Sequence, residues 1–161
     1  MNLQWMMPEL ILAAGALLLV VLGSYGGRHA TRLVWGASHA IILSAAYALY
    51  HTIPEEPILL FSKLYLVDGF SQYVKALLLV ASYMVLILVA SWLKERETPF
   101  FEKPILMILA IAGMMVMASS NDLMTLYMGI ELSSLALYVL AASDRDNAVS
   151  SEAGLKYFVL G

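Results

Sequence analysis

The amino-acid sequence predicts an all-α polytopic membrane protein: five complete transmembrane helices, the start of a sixth, and a short hairpin between helices two and three. Three observations carry this prediction. Of the 161 residues, 61% are hydrophobic and 13% charged, against about 45–50% and 25% in soluble domains. The apolar residues are gathered into runs of membrane-spanning length, separated by connectors rich in Gly, Pro and charge. Cysteine is absent, so disulfides, iron–sulfur clusters and thiolate metal sites are excluded from this chain. A net charge of -3 without a basic tract gives no reason to expect a nucleic-acid partner.

Met6 to Leu22 is the first apolar run. No Lys or Arg precedes it, so it reads as a retained helix rather than a cleaved signal. It ends in GSYGGRH, where glycines break the helix. Span two runs from Leu33 to Tyr50 and holds Ser38 and His39, and a single His there is expected to be a hydrogen-bonded packing residue rather than a proton carrier. Between His51 and Gly69, Pro54, Pro57 and the Asp68-Gly69 turn signal leave no room for a span. Ile58 to Val67 is rich in strand-compatible residues, which predicts a surface hairpin at about 54–69. Span three follows from Ser71 to Leu93. Lys75, close to its start, is expected to snorkel to the interface, with an ion pair to Asp68 as the other option.

Lys94 to Lys103 (KERETPFFEK) is a charged linker, and Pro104 suits the first position of span four, Pro104 to Ala118. The methionines of span four are expected to fill packing gaps rather than bind metal. After the tight turn Ser119 to Asp122, Asn121 or Asp122 can cap span five, Leu123 to Ala142. Ser143 to Ser151 is a polar connector containing Asp144, Arg145 and Asp146, and a sixth helix starts at about Ser150. Only part of the roughly 20 residues a crossing needs is present before Gly161, so an N-terminal fragment is expected. Residues 1–119 then form one unit, helices one to four with the hairpin, and 120–161 the beginning of the next.

The loops after spans one, three and five hold Arg28, Arg32, Lys94, Arg96, Lys103 and Arg145. The opposite side holds Lys63 and, at the membrane edge, Lys75. By the positive-inside rule the N-terminus is expected outside and the first, third and fifth loops in the cytoplasm or its equivalent.

Within span five, Glu131 is a lone acid about 12 Å from one end of a helix crossing a layer about 30 Å thick. A charge at that depth is costly unless it faces protein or water, which makes it a candidate functional residue. Tyr127, Ser134 and Tyr138 lie on the same face at helical period, and that face is expected to look inward. In the sixth helix Lys156 is about 9 Å deep, close enough to Glu131 for long side chains or one or two waters to bridge. The two together suggest a proton relay with coupled titration. The competing readings are a protonated Glu131 acting as interhelical glue and a Lys156 that snorkels. No nucleophile–base pair, phosphate loop or metal-ligand spacing accompanies them, which favours transport over catalysis within this chain.

The stretch NDLMTLYMGIELSSLALYVLAASDRDNAVSSEAGLKYFVLG, together with the hairpin and VDGFSQ, is similar to subunit N of respiratory complex I, the proton-pumping NADH:quinone oxidoreductase, and covers its fifth and sixth membrane helices. The resemblance implies an antiporter-like subunit built from inverted five-helix repeats, each a half-channel, with the family's fifth-helix glutamate at Glu131 and sixth-helix lysine at Lys156. It implies that this chain itself holds no cofactor, that NADH and quinone are used by other subunits of the complex, and that its partners are those membrane subunits and the lipid bilayer. Two alternatives share parts of this pattern. One is a subunit of a multi-subunit cation/proton antiporter or an energy-converting hydrogenase. The other is a structural membrane module whose buried charges only hold helices together.

Overall fold

The computed structural model describes residues 3–25, 27–95, 101–144 and 147–161, with side chains described throughout these except at 27–30 and 93–95. Arg28, Lys94, Arg96 and Arg145, which entered the charge count above, therefore lie outside the described side chains, as do Asp146 and the middle of the charged linker.

A single turn of 3-10 helix at Leu3–Met6 leads into α1 (Met7–Tyr25), followed by α2 (Gly27–His51) and a hairpin of β1 (Ile58–Leu60) and β2 (Tyr65–Val67). Then come α3 (Gly69–Glu95), α4 (Glu102–Ala118), α5 (Leu123–Ala141) and α6 (Ala148–Leu160). Among the described residues, four helical stretches are long and apolar enough to cross a membrane: Leu3–Tyr25, Thr31–His51, Gly69–Trp92 and Leu123–Ala141. The chain is thus a multi-pass membrane protein. The expected count of five complete spans is another matter. At 17 residues α4 rises about 25 Å, short of the roughly 30 Å of hydrocarbon.

α4 is instead the hub. It touches α1, α2, α3 and α5, and its Ile105, Ile108, Ile111 and Met115 meet Leu12, Ala16 and Leu19 of α1, Val34 and Ile42 of α2, and Leu79 and Leu86 of α3 in one apolar core. Leu12, Ala16 and Leu19 recur at helical spacing, so one face of α1 is buried while Leu17, Leu18 and Val21 stay exposed. An outer surface so rich in Leu and Val suits lipid rather than water.

Local chemistry sets the helix starts. Asp68 and Ser71 cap α3 reciprocally, the Ser71 amide donating to Asp68 Oδ1 at 2.8 Å and the Asp68 amide to Ser71 Oγ at 3.0 Å. Asp122 caps α5 by accepting from the Met124 amide at 2.9 Å, and Asn147 caps α6 by accepting from Val149 at 3.0 Å. His39 is a packing residue: its Nδ1 lies 2.7 Å from the Trp35 carbonyl and its ring meets Tyr83 edge-on at 5.5 Å.

β1 and β2 pair antiparallel, Ile58 opposite Val67 and Leu60 opposite Tyr65. The turn between them is strained, because Phe61, Ser62 and Lys63 all adopt positive φ (50°, 55° and 75°) where only glycine is at ease. Residues 119–121, between α4 and α5, lie along the free edge of β2. Leu66 donates its amide to Ser119 at 2.8 Å, Asn121 to Leu64 at 3.1 Å, and Tyr65 and Ser120 form an antiparallel bridge.

Candidate functional site

α5 has two dissimilar faces. Gly129, Ser133 and Ala136 are buried and close together along one of them. That face meets α4 at very short range: a Cβ on Gly113 would lie 2.6 Å from the Ser133 amide nitrogen, and one on Gly129 would lie 2.9 Å from that of Met117. Two glycines are therefore the condition for this crossing. It turns the opposite face, with Tyr127, Glu131, Ser134 and Tyr138, away from the α1–α4 core. Tyr127 and Glu131 are exposed and Ser134 and Tyr138 half-buried. The expectation that this face looks inward is not met within the chain, because the small residues, not the polar ones, take the neighbour.

α6 covers only the far end of that face. Gly154 packs on Ala142, and Tyr138 meets Tyr157 and Phe158 edge-on at 4.7 and 5.7 Å. Lys156 is exposed and pairs with Glu152, one turn earlier on its own helix, at 2.6 Å. Among the described residues no ion pair joins Lys156 to Glu131. Both are exposed, each on the face of its helix turned away from the neighbour on which Gly129 or Gly154 packs. The i, i+4 spacing of Glu152 and Lys156 is the usual one for an intrahelical pair and is the sequence signal for this contact.

The ion pair buried inside the chain is elsewhere. Lys75 Nζ lies 2.7 Å from Glu9 Oε1, with Lys75 wholly buried and Glu9 nearly so. Tyr65 Oη donates to the same Glu9 oxygen at 2.7 Å and accepts from Lys75 Nζ at 2.9 Å, closing a three-membered cluster of α1, α3 and β2. Lys75 also stands 5.0 Å from the centre of the Tyr65 ring, within cation–π range. Glu9 Oε2 and, one turn from Lys75, Gln72 Oε1 are buried with no hydrogen-bond partner among the described residues. Burial pushes the Tyr65 phenol well above the usual phenol range, and the adjacent Glu9 charge pushes it further. Tyr65 therefore remains a donor at any physiological pH.

This corrects the reading of Lys75 as a snorkelling residue. Its stem points into the bundle because α1 offers a carboxylate at the same level, and two buried charges that meet need no route to water. Asp68, the other proposed partner, is occupied in capping α3. Among the described residues no group of three or more His, Asp or Glu is placed to hold a metal ion.

Comparison with known proteins places these features. The family described as NADH:quinone oxidoreductase/Mrp antiporter, TM matches residues 120–161. NADH-quinone oxidoreductase subunit N of Rhodospirillum rubrum is 47% identical over 156 residues, which is 96% of this chain and 32% of the relative. Subunit N 1 of Rhizobium meliloti is 42% identical over 99% of this chain and 33% of its own length, and subunit N of Paramagnetospirillum magneticum is 41% identical over 100% and 33%. Among solved structures, a chain of respiratory complex I from Thermus thermophilus with bound aureothin superposes with a TM-score of 0.76 at 29% identity, over 95% of this chain and 32% of that one. The chain thus spans about a third of the length of the curated relatives it matches, and the resemblance to subunit N extends across nearly all of it.

Proposed function

We propose that this chain, homologous to subunit N of NADH-quinone oxidoreductases, forms part of a membrane subunit of the proton-pumping complex, and that Glu131 and Lys156 carry protons there. The carrying observation is the 40–47% identity over nearly the whole chain to relatives that bear the subunit N name. That name recurs at this level of identity, which favours complex I over the Mrp antiporters that share the family description of residues 120–161.

Glu131 and Lys156 stand on exposed faces of α5 and α6, Glu131 beside Tyr127, Ser134 and Tyr138. On this reading other membrane helices cover those faces and supply the next carriers. Excluding bulk water would strengthen the mutual influence of the two groups, so that the proton on one sets the affinity of the other. Glu152 holds Lys156 on its own helix and competes with Glu131 for it. Approach of Lys156 to Glu131 would require release from Glu152, a two-position switch for one charge. No redox chemistry belongs to these residues; NADH and quinone react on other subunits of the complex. Each charge moved against the membrane potential costs about 2.3 kcal/mol per 100 mV, which that redox chemistry supplies.

The subunit sits in the cell's inner membrane with the N-terminus and hairpin outside. The burial of Lys75 in an internal ion pair sharpens this orientation. It removes one of the two positive charges on the hairpin side and leaves Lys63, while Arg32 and Lys103 remain on the other. In this orientation α4 serves as a fifth, short crossing shielded by its neighbours, and α6 as the start of a sixth.

The test places Glu131→Gln and Lys156→Ala separately in the complete subunit. Assembly of the complex is confirmed, and NADH-driven proton uptake by membrane vesicles is measured beside electron transfer to quinone. Loss of proton uptake with the complex intact supports the relay. Unchanged uptake in both variants makes the two charges structural and refutes it.

A further inference from the structure

The Glu9–Lys75–Tyr65 cluster has no part in the relay just described, yet a continuous set of contacts runs from it to the helix that carries Glu131. The hydroxyl of Tyr65 is held by both buried charges. Its backbone is bridged to Ser120. The flanking Leu66 amide donates to the Ser119 carbonyl at 2.8 Å, and the Asn121 amide to the Leu64 carbonyl at 3.1 Å. Asn121 Nδ2 donates to the Lys63 carbonyl at 2.7 Å, within the strained turn. The next residue, Asp122, caps α5.

The start of α5 is thereby tied to α1 through the Tyr65 side chain, and to α3 through that side chain and the short backbone between β2 and α3. Beyond that tie, α5 is located by its close crossing with α4 at Gly113 and Gly129. Glu131 lies two residues past that crossing on the opposite face. Within this chain, then, its position is set by the backbone of α5, which is anchored at these two places. A buried ion pair is a weak source of net stability, but it is sharply demanding of geometry. Carboxylate, ammonium and phenol must meet at 2.7 to 2.9 Å, which fixes β2 and with it the turn into α5.

We propose that Glu9, Lys75 and Tyr65 are positioning residues for the Glu131 relay: a charged clasp that sets the placement of α5 through the hairpin and the 119–121 segment. This rests on the reading of Glu131 as a proton carrier.

The experiment uses the complete subunit in its assembled complex, in membrane vesicles. Tyr65→Phe keeps the ion pair and removes its link to the hairpin, Lys75→Gln breaks the pair, and the exchange Glu9→Lys with Lys75→Glu restores it with the charges reversed. Protons taken up per NADH oxidised are measured for each. Hydrogen–deuterium exchange is followed at residues 119–124. Tyr65→Phe is expected to lower the proton yield about tenfold, the population shift that losing the hydroxyl's two hydrogen bonds to charged partners allows. Electron transfer is expected to be retained, and exchange at 119–124 to quicken. Lys75→Gln is expected to lower the yield further, and the reversed pair to recover part of it, which a general loss of folding would not show. An unchanged yield in Tyr65→Phe with the complex intact overturns the proposal, and that variant decides the matter if Lys75→Gln fails to assemble. Glu131→Gln in the same assay separates the two readings. If it abolishes uptake while the clasp variants pump normally, only the clasp fails; if it pumps normally, the relay fails and the clasp with it.

Discussion

The chain holds two pairs of opposite charges in its apolar helices and treats them in opposite ways. Glu9 and Lys75 are closed inside the bundle, 2.7 Å apart and tied to Tyr65. Glu131 and Lys156 stand exposed on α5 and α6, the acid without an ion-pair partner among the described residues and the lysine on Glu152. The buried pair has most of its partners in place and a fixed geometry. The exposed residues are free of the fixed geometry that holds the buried pair. Closure suits a structural clasp, whereas a proton carrier has to alternate between partners, so depth along a helix says less about function than whether the local partner set is complete.

The comparison can be broken most forcefully at the clasp. Lys75→Met leaves the Glu9 carboxylate buried and unpaired and is expected to cost about 3–5 kcal/mol, read as a lower midpoint of thermal unfolding of the complex in detergent. Replacing both charges together, Glu9→Leu with Lys75→Met, is expected to recover most of that loss. A double variant as unstable as the single one would show that the cluster does more than compensate itself.

Next in size is the α4–α5 crossing. Gly129→Leu drives a side chain against the Met117 backbone and is expected to destabilise by about 1–3 kcal/mol, and to reduce proton uptake because α5 is displaced. Stability and pumping that both match the parent would mean that the crossing tolerates separation and does not position Glu131.

Smaller still is the expected effect of the exposed pair on stability. Glu152→Gln should change unfolding by less than about 0.5 kcal/mol, as exposed substitutions do, and Glu131→Gln, which keeps the side chain's shape where other helices cover it, should leave the unfolding midpoint of the complex near the parent's while removing proton uptake. A large loss of stability in the complex would show that Glu131 is a packing residue once its other neighbours are present.

The smallest expected effect is a pH dependence. The Tyr65 phenol ionises above its usual range in the folded chain because burial and then Glu9 disfavour the phenolate. Its contribution is therefore complete below the unfolded value of about 10 and declines as pH rises past it, where the unfolded chain loses the proton first. The difference in thermal midpoint between the parent and Tyr65→Phe should be constant from about pH 6 to 9 and shrink above about pH 10. A difference that changes between pH 6 and 9 would locate the titrating group elsewhere, in Glu9 or Lys75.

Much of this architecture is legible residue by residue. Apolar runs mark α1, α2, α3 and α5. Pro54, Pro57 and Asp68-Gly69 mark the hairpin, which pairs within the expected segment. Asp122 caps α5 as its position before Leu123 suggests. These features follow from composition and from spacing over a few residues, so the linear sequence determines them. The two chemical candidates Glu131 and Lys156 are legible for the same reason: a charge in an apolar run is conspicuous wherever its helix packs.

What the sequence alone leaves open is which faces meet. α5 carries a small-residue face and a polar face, and either could take a neighbour. The close approach of Gly129 to Gly113 decides it, a contact between residues whose helices must first be brought together at a particular crossing. Glu9 and Lys75 lie on helices separated by α2 and the hairpin, and nothing local distinguishes Lys75 from a lysine that reaches for water. Only the packing of α1 and α3 against α2 and α4 sets the two charges at one level, and only the return of β2 brings the Tyr65 hydroxyl into reach. Side-chain chemistry and periodicity are properties of the chain. The partner of a buried charge is a property of the fold, because burial leaves a charged group no solvent and makes it depend on whatever side chain the packing delivers.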